Sequence, residues 1–343
     1  MKTELTSIEL RFLTTELRGL VNGKIDQIYQ PKEEELLLQI HVPGKGKQLL
    51  HIVLPSFIYL TAEKPDIPAE ISEFCSVLRD RLVNARIREI TQVQNERILE
   101  ITLEKESSYT LVIELFSKGN VILCQNDKIL FPLLTQTWKD RIIREGKKYL
   151  FPQAKYNPFD KSLFIKAIKN NEDGTISKLL AAKLGLGKTY AEELCLRTGV
   201  DKLAKKISEQ DSEKLFLELN KLTTQPINAR VIYQNKEILD AVPIALKLYE
   251  NAEQQRFNTY SEALESVIGK LITTHKRTKA EQKFTEQLKR IETKIEKQKQ
   301  TFDYLEKEAT DNQRKGELIY ENYQQVKEIL TGRKRGEKIK INL

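Results

Sequence analysis

Apolar residues recur at helical spacing near the start of the chain, at Ile8, Leu10, Leu13, Leu17 and Leu20. This predicts a helix over Thr6–Leu20 with Ser7 as its cap. The period then shortens to two. Lys24–Gln30, Glu35–His41 and Gln48–Leu54 read as strands, with a turn at Pro31–Glu34 and a basic turn at Pro43-Gly44-Lys45-Gly46-Lys47. Glu70–Leu82 returns to helical spacing. Ala85–Gln92, Arg97–Lys105, Tyr109–Phe116 and Asn120–Gln125 alternate again, and a short strand is expected near Ile129. Strands this dense, flanked by helices, predict an α+β domain, bounded here at residues 1–170.

A second region, residues 171–255, reads as helix Ile176–Leu184, a tight turn Gly185-Leu186-Gly187, and helix Tyr190–Arg197 ending at Gly199. A charged helix Asp201–Leu222 and a β-hairpin Ile227–Asp240, turning at Gln234-Asn235-Lys236, complete it. The third region, 256–343, carries Phe284, Leu288, Ile291, Ile295, Gln298, Phe302, Leu305, Ala309 and Asn312 at alternating steps of four and three. That is the seam of a coiled coil, on the order of 50 Å long if Glu281–Lys315 is one helix. Such a seam needs a partner, either a returning helix or another chain. No returning helix reads before Leu343, so the segment looks like the first half of a pair.

Charge changes the picture next. The chain is basic, with a net charge of +8, which favours a polyanionic partner, either nucleic acid or an anionic membrane; an inert basic surface fits equally. No run is apolar enough to span a bilayer and the start lacks a leader pattern. Cys75, Cys124 and Cys195 lie far apart in apolar runs, as expected of reduced cytosolic thiols and not of a disulfide framework or a zinc site. The three histidines, His41, His51 and His275, have no Cys or carboxylate neighbours in sequence. No nucleophile, phosphate-loop or dinucleotide motif is present, so neither a metal, a cofactor nor a conventional enzyme is expected.

Four places could carry binding chemistry. The small hairpin Gly185–Gly187, flanked by Lys183 and Lys188, would let backbone N–H groups approach a phosphate, unless it is an ordinary turn between helices. Glu96-Arg97, after Gln94-Asn95, is an opposite-charge pair at a strand mouth, and spacing alone favours a solvated strand end. Glu9 reads as a solvated helix position. Trp138 among Lys139, Arg141 and Arg144 could stack a base or belong to the core.

Several runs together resemble the NFACT family, which includes eukaryotic NEMF and bacterial RqcH. They are Met1-Lys2 with Leu5-Thr6-Ser7-Ile8-Glu9-Leu10, Ile28-Tyr29-Gln30, His41–Lys47, Leu54-Pro55-Ser56-Phe57-Ile58-Tyr59-Leu60, Asn84-Ala85-Arg86-Ile87 and Glu114–Leu123. The run Leu115-Phe116-Ser117-Lys118-Gly119-Asn120 is the most specific. The likeness extends from Met1 into the coiled coil and points to the archaeal branch. It implies an NFACT-N domain similar in fold to the amino-terminal domain of formamidopyrimidine-type DNA glycosylases, then a helix-hairpin-helix domain, then the start of a long coiled coil.

It also implies a cytoplasmic ribosome quality-control factor. Such a factor binds rRNA of the large ribosomal subunit carrying stalled peptidyl-tRNA. There it recruits aminoacyl-tRNA, typically alanyl-tRNA, for message-free tailing, and the ribosome is the catalyst. The family's recruitment residues fall on Glu9, Glu96 and Arg97; both acids here are Glu where the family has Asp. Two other readings stay open: a glycosylase-like nucleic-acid binder, against which Lys2-Thr3 stands where the glycosylases have Pro and Glu, and a fibronectin-binding surface protein.

Overall fold

The computed structural model describes residues 2–138, 140–152, 156–172, 174–331 and 340–341, and of residues 270–287 only the backbone. Helix α1 (Ser7–Leu17) opens the chain and is buried on almost every side, at Ser7, Ile8, Glu9, Leu10, Phe12, Leu13, Thr14 and Leu17. A meander of four strands follows: β1 (Lys24–Tyr29), β2 (Glu35–Val42), β3 (Gly46–Val53) and β4 (Phe57–Thr61). Helix α2 (Glu73–Leu82) leads into a second meander, β5 (Arg86–Gln92), β6 (Ile98–Glu104), β7 (Ser108–Glu114), β8 (Asn120–Gln125) and β9 (Lys128–Pro132). Among the described residues these nine strands form one antiparallel sheet in the order β4-β3-β2-β1-β5-β6-β7-β8-β9. The minor strands β10 (Gln136–Thr137) and β11 (Ile142–Ile143) pair beside it.

The two meanders are related to each other. Leu20-Val21-Asn22-Gly23-Lys24-Ile25 is echoed 62 residues on by Leu82-Val83-Asn84-Ala85-Arg86-Ile87, a repeat that reading by period alone misses. Both asparagines take a left-handed φ, 69° at Asn22 and 72° at Asn84. They donate reciprocally: Asn22 N–H to Ile87 O at 2.9 Å and Asn84 N–H to Ile25 O at 2.8 Å. The pairs Ile25 N–H to Ala85 O and Ile87 N–H to Gly23 O, at 2.9 and 2.8 Å, repeat the exchange. Matching bulges follow, at Asp26 in β1 and at Arg88 in β5. The sheet is thus built from a helix-plus-meander unit used twice, joined over the single registered pair Lys24–Arg86.

Helical elements come next: α3 (Lys161–Lys169), the single turn α4 (Ile176–Lys178) continuing as a π-helical turn Leu179–Lys183, α5 (Lys188–Thr198) and α6 (Glu209–Thr223). Their core, including Phe164, Leu180, Leu186, Tyr190, Leu194, Leu215 and Leu219, also takes in Ile8 and Phe12 of α1. Helix α1 therefore serves two cores, one on each flank. Strands β12 (Arg230–Gln234), β13 (Glu237–Val242) and β14 (Glu253–Arg256) make a separate sheet in the order β13-β12-β14.

Helix α6 starts later than the charge pattern predicts, because Ser208 caps it by accepting from Asp211 N–H at 3.0 Å. The long helix α7 (Tyr260–Glu321) and the short α8 (Tyr323–Leu330) complete the order. The chain divides into one unit over residues 1–270 and another over 271–343.

Candidate nucleic-acid interface

The start of α1 forms one wall of a cleft of about 260 Å³. Thr6, not Ser7, caps the helix. Its Oγ1 accepts from Glu9 N–H at 3.2 Å, while Glu9 Oε2 accepts from Thr6 N–H at 2.7 Å. This reciprocal box needs a hydroxyl residue three positions before the acid, which Thr6 satisfies and Ser7 does not. Ser7 is left free to donate its hydroxyl to Gly185 O at 2.6 Å.

The turn between β5 and β6 forms the second wall. Gln92 ties it to α1 by donating its amide to Ser7 O at 2.8 Å and to Glu96 O at 2.9 Å. Asn95 is buried, donating Nδ2 to Leu184 O at 3.4 Å. Its Oδ1 is buried without a partner among the described residues. Arg97 pairs with Glu4 and donates to Leu5 O at 3.3 Å, keeping about a quarter of its side chain exposed. Burial pushes the Glu96 carboxyl above the ordinary range, and the neighbouring Arg97 guanidinium offsets this only in part.

The glycine hairpin is the third wall. Gly185 and Gly187 line the cleft with Leu184 and Ala181, and Tyr156 and Asn157 close its side. Both glycines have φ in the left-handed region, 68° and 81°. A Cβ on Gly187 would lie 2.7 Å from Thr6 Cγ2. The glycines thus serve the seating of the hairpin on α1. The expectation that the hairpin's own N–H groups face a phosphate needs correcting: those of Leu186 and Gly187 donate to Leu180 O and Ala181 O, both at 3.1 Å. What remains open is the start of α5, where Gly187 offers no side-chain cap and the first-turn N–H groups begin at Lys188. Lys188 and Lys183 are exposed, and the Lys183 ammonium lies 5.4 Å from the Tyr156 ring.

Of the residues singled out in the sequence, Glu96, Arg97, Gly185 and Gly187 therefore share one cleft, with Lys183 and Lys188 beside the same hairpin. Glu9 is different. It is not a solvated position but 1% exposed, and Lys2 Nζ donates to its Oε1 at 2.7 Å. Lys2 also pairs with Asp240 of β13 at 3.1 Å. Burial alone would push the Lys2 ammonium down; the two carboxylates outweigh it and hold it above its ordinary value. Glu9 thus acts on the cleft by fixing the start of α1. Lys2 and Asp240 lie 238 residues apart, and no sequence signal joins them. Asn95 and Glu4 are equally invisible in the sequence as cleft residues.

Two other expectations are resolved. Trp138 is partly buried against the cluster of Ile98, Val112, Ile122 and Ile143. Its ring is covered by Arg141 at 4.3 Å, and Arg141 in turn forks onto buried Glu114 at 2.6 and 3.0 Å. That face is closed to a base. His51 does meet a carboxylate, because the sheet brings Glu35 to 3.4 Å and Tyr59 OH to 3.1 Å. The side chains of Phe284 and His275, and the whole of Lys139, lie outside the described residues. The three cysteines are buried and unpaired. No described helix is long and apolar enough to cross a membrane.

The chain is similar to several known proteins. The archaeal Rqc2 homolog aRqcH of Methanocaldococcus jannaschii is 33% identical over 350 residues, covering 96% of this chain and 52% of that protein. The Rqc2 homolog RqcH of Streptococcus pneumoniae is 30% identical over 336 residues, covering 90% and 56%. The chain thus spans about half the length of these relatives. The N-terminal part of the fibronectin/fibrinogen-binding protein of Streptococcus suis shares the fold, with a TM-score of 0.63 and 23% identity over 78% of this chain and all of that one. The family model for NFACT N-terminal and middle domains matches residues 6–338, and the chain belongs to the NFACT family.

Proposed function

We propose that this chain works in cytoplasmic ribosome quality control. In this reading it binds the large ribosomal subunit carrying stalled peptidyl-tRNA and presents aminoacyl-tRNA, alanyl-tRNA first among the candidates, for message-free tailing. The observation that carries the reading is the convergence of Glu96, Arg97, the capped start of α1 and the glycine hairpin in one cleft of a chain whose relatives are named for ribosome quality control. The helices on either side of the hairpin act as a helix-hairpin-helix module, with Lys183 and Lys188 beside the hairpin as backbone contacts to RNA. The ribosome supplies the peptidyl transfer; the chain binds and positions. The seating of the Lys2 amine in a buried ion pair with Glu9 and Asp240 supports a binding role over amine-based glycosylase or lyase chemistry.

Arg97 can fork onto a phosphate or a base edge, and removing such a bidentate interaction costs about 1–3 kcal/mol. Contacts to rRNA spread over many lysines, each worth little. Arg97→Ala is therefore expected to weaken tRNA binding by roughly 5- to 150-fold while leaving co-sedimentation with the large subunit nearly intact. Equal loss of both would sink the assignment, since it would reduce the pair with Glu4 to a structural tie.

A further inference from the structure

The basic turn that follows β2 is not part of the cleft, and the sheet gives it company. In register across four adjacent strands, Lys47 of β3 lies opposite His41 of β2, His41 opposite Lys24 of β1, and Lys24 opposite Arg86 of β5. All four are exposed and share one face, because the residues flanking them, Val42, Ile25 and Ile87, are buried on the other. None forms an ion pair with a described carboxylate. The acid next in the row, Glu104, is taken by Arg88, and Asp26 accepts from Gln39. Lys45 beside the row donates to Gly19 O at 3.4 Å, and Gly44 and Gly46 have nothing within 4 Å of a would-be Cβ.

Lys24 facing Arg86 breaks a rule of sheet chemistry, because like charges directly opposite one another destabilise the pairing, and Lys47 adds a further cation two strands away across His41. An anion laid across the strands would relieve this repulsion. Strands are about 4.8 Å apart, so the row covers about 14 Å. A nucleic-acid strand carries one charge per roughly 3.4 Å of helix axis, so successive phosphates fall within reach of these flexible side chains. The row also sits at the opposite end of α1 from the cleft. Thr6 lines the cleft and Gly19 meets Lys45, a separation of about 20 Å at the helical rise.

We propose that Lys24, His41, Lys47 and Arg86 form a second RNA-backbone site, which holds a stretch of consecutive phosphates while the cleft engages another part of the same RNA or a second one. The proposal rests on the RNA-binding reading given above and adds a separate surface to it.

The test uses the full chain and a fluorescein-labelled mixed-sequence RNA hairpin, with affinity followed against salt. Lys24→Gln/Lys47→Gln/Arg86→Gln should lower the slope of log affinity against log salt by about two to three, close to one for each phosphate no longer neutralised. At low salt it should bind about tenfold or more weakly. Its thermal midpoint should stay level or rise, because the change removes repulsion, so weaker binding cannot be put down to misfolding.

If the wild-type chain shows a steep salt slope and the triple variant matches it, the second site is overturned while the RNA-binding reading stands. If the wild-type slope is itself flat, the RNA-binding reading fails and this site with it. Phosphatidylserine vesicles serve as the other arm. Vesicle flotation that depends on these three residues, with RNA binding unchanged, would make the row a membrane surface and overturn the proposal.

Discussion

Lys2 shows how much a single buried side chain can organise. It joins the leading segment, α1 through Glu9, and the small sheet through Asp240. Removing one partner from a buried charge set leaves the others uncompensated, at a cost of about 3–5 kcal/mol. Lys2→Met is therefore expected to lower the urea midpoint by a corresponding amount. The sign of the pH dependence follows from the raised folded pKa. The stabilisation is complete below the ordinary lysine value of 10.5 and is lost as pH rises through the folded value. Wild type and Lys2→Met should thus differ most at neutral pH and converge in strong alkali; a constant difference would remove the ion pair as its cause. At this scale the sequence is legible where chemistry is local. Glu96 and Arg97 are adjacent and stand out together, although the family likeness and not their spacing marks them as functional. Asn95 registers only as their neighbour, because nothing in a sequence shows that an amide oxygen will be buried without a partner.

Among elements, the glycine hairpin is the most exacting. Gly187 combines a left-handed φ with a 2.7 Å approach to Thr6, whereas at Gly185 the nearest atom, Asn95 Nδ2, is 3.7 Å from a would-be Cβ. Gly185→Ala should cost about 1–2 kcal/mol from backbone strain alone. Gly187→Ala should cost more, because the hairpin must also shift off α1, and it should weaken tRNA binding through the displaced cleft wall. Paired unfolding and binding measurements check the order; equal costs would show that the approach to Thr6 relaxes freely. Most strands are legible from alternation, with bounds that differ by only one or two residues. The elements that alternation misses have physical reasons. Strand β4 follows Pro55 and a turn, so it reads only as a family motif. Strand β14, Glu-Gln-Gln-Arg, has no apolar alternation and is held by pairing with β12. Helix α3 is short and follows Asn157-Pro158, a loop signal that masks its cap, Asp160.

On the scale of the whole chain, the seam of α7 has immediate consequences. Leu288, Ile291, Ile295, Phe302 and Leu305 are between 42% and 66% exposed, far from the burial such a pattern demands. Concentrated protein is expected to pair through this seam, giving a sedimentation profile that shifts with concentration. Ile291→Lys/Phe302→Lys should abolish the shift, and a strictly monomeric wild type at high concentration would count against it.

The doubled helix-plus-meander bears on how the chain finds its fold. Within each copy every strand pairs with its neighbour in sequence, so the pairings close short loops and form early. The bonds exchanged between Asn22 and Ile87 and between Asn84 and Ile25 span some sixty residues and close a much longer loop. The two copies should therefore assemble as separate nuclei and dock last at the Lys24–Arg86 junction. In stopped-flow experiments, substitutions inside either meander would then slow refolding, and substitutions at the two asparagines would chiefly speed unfolding.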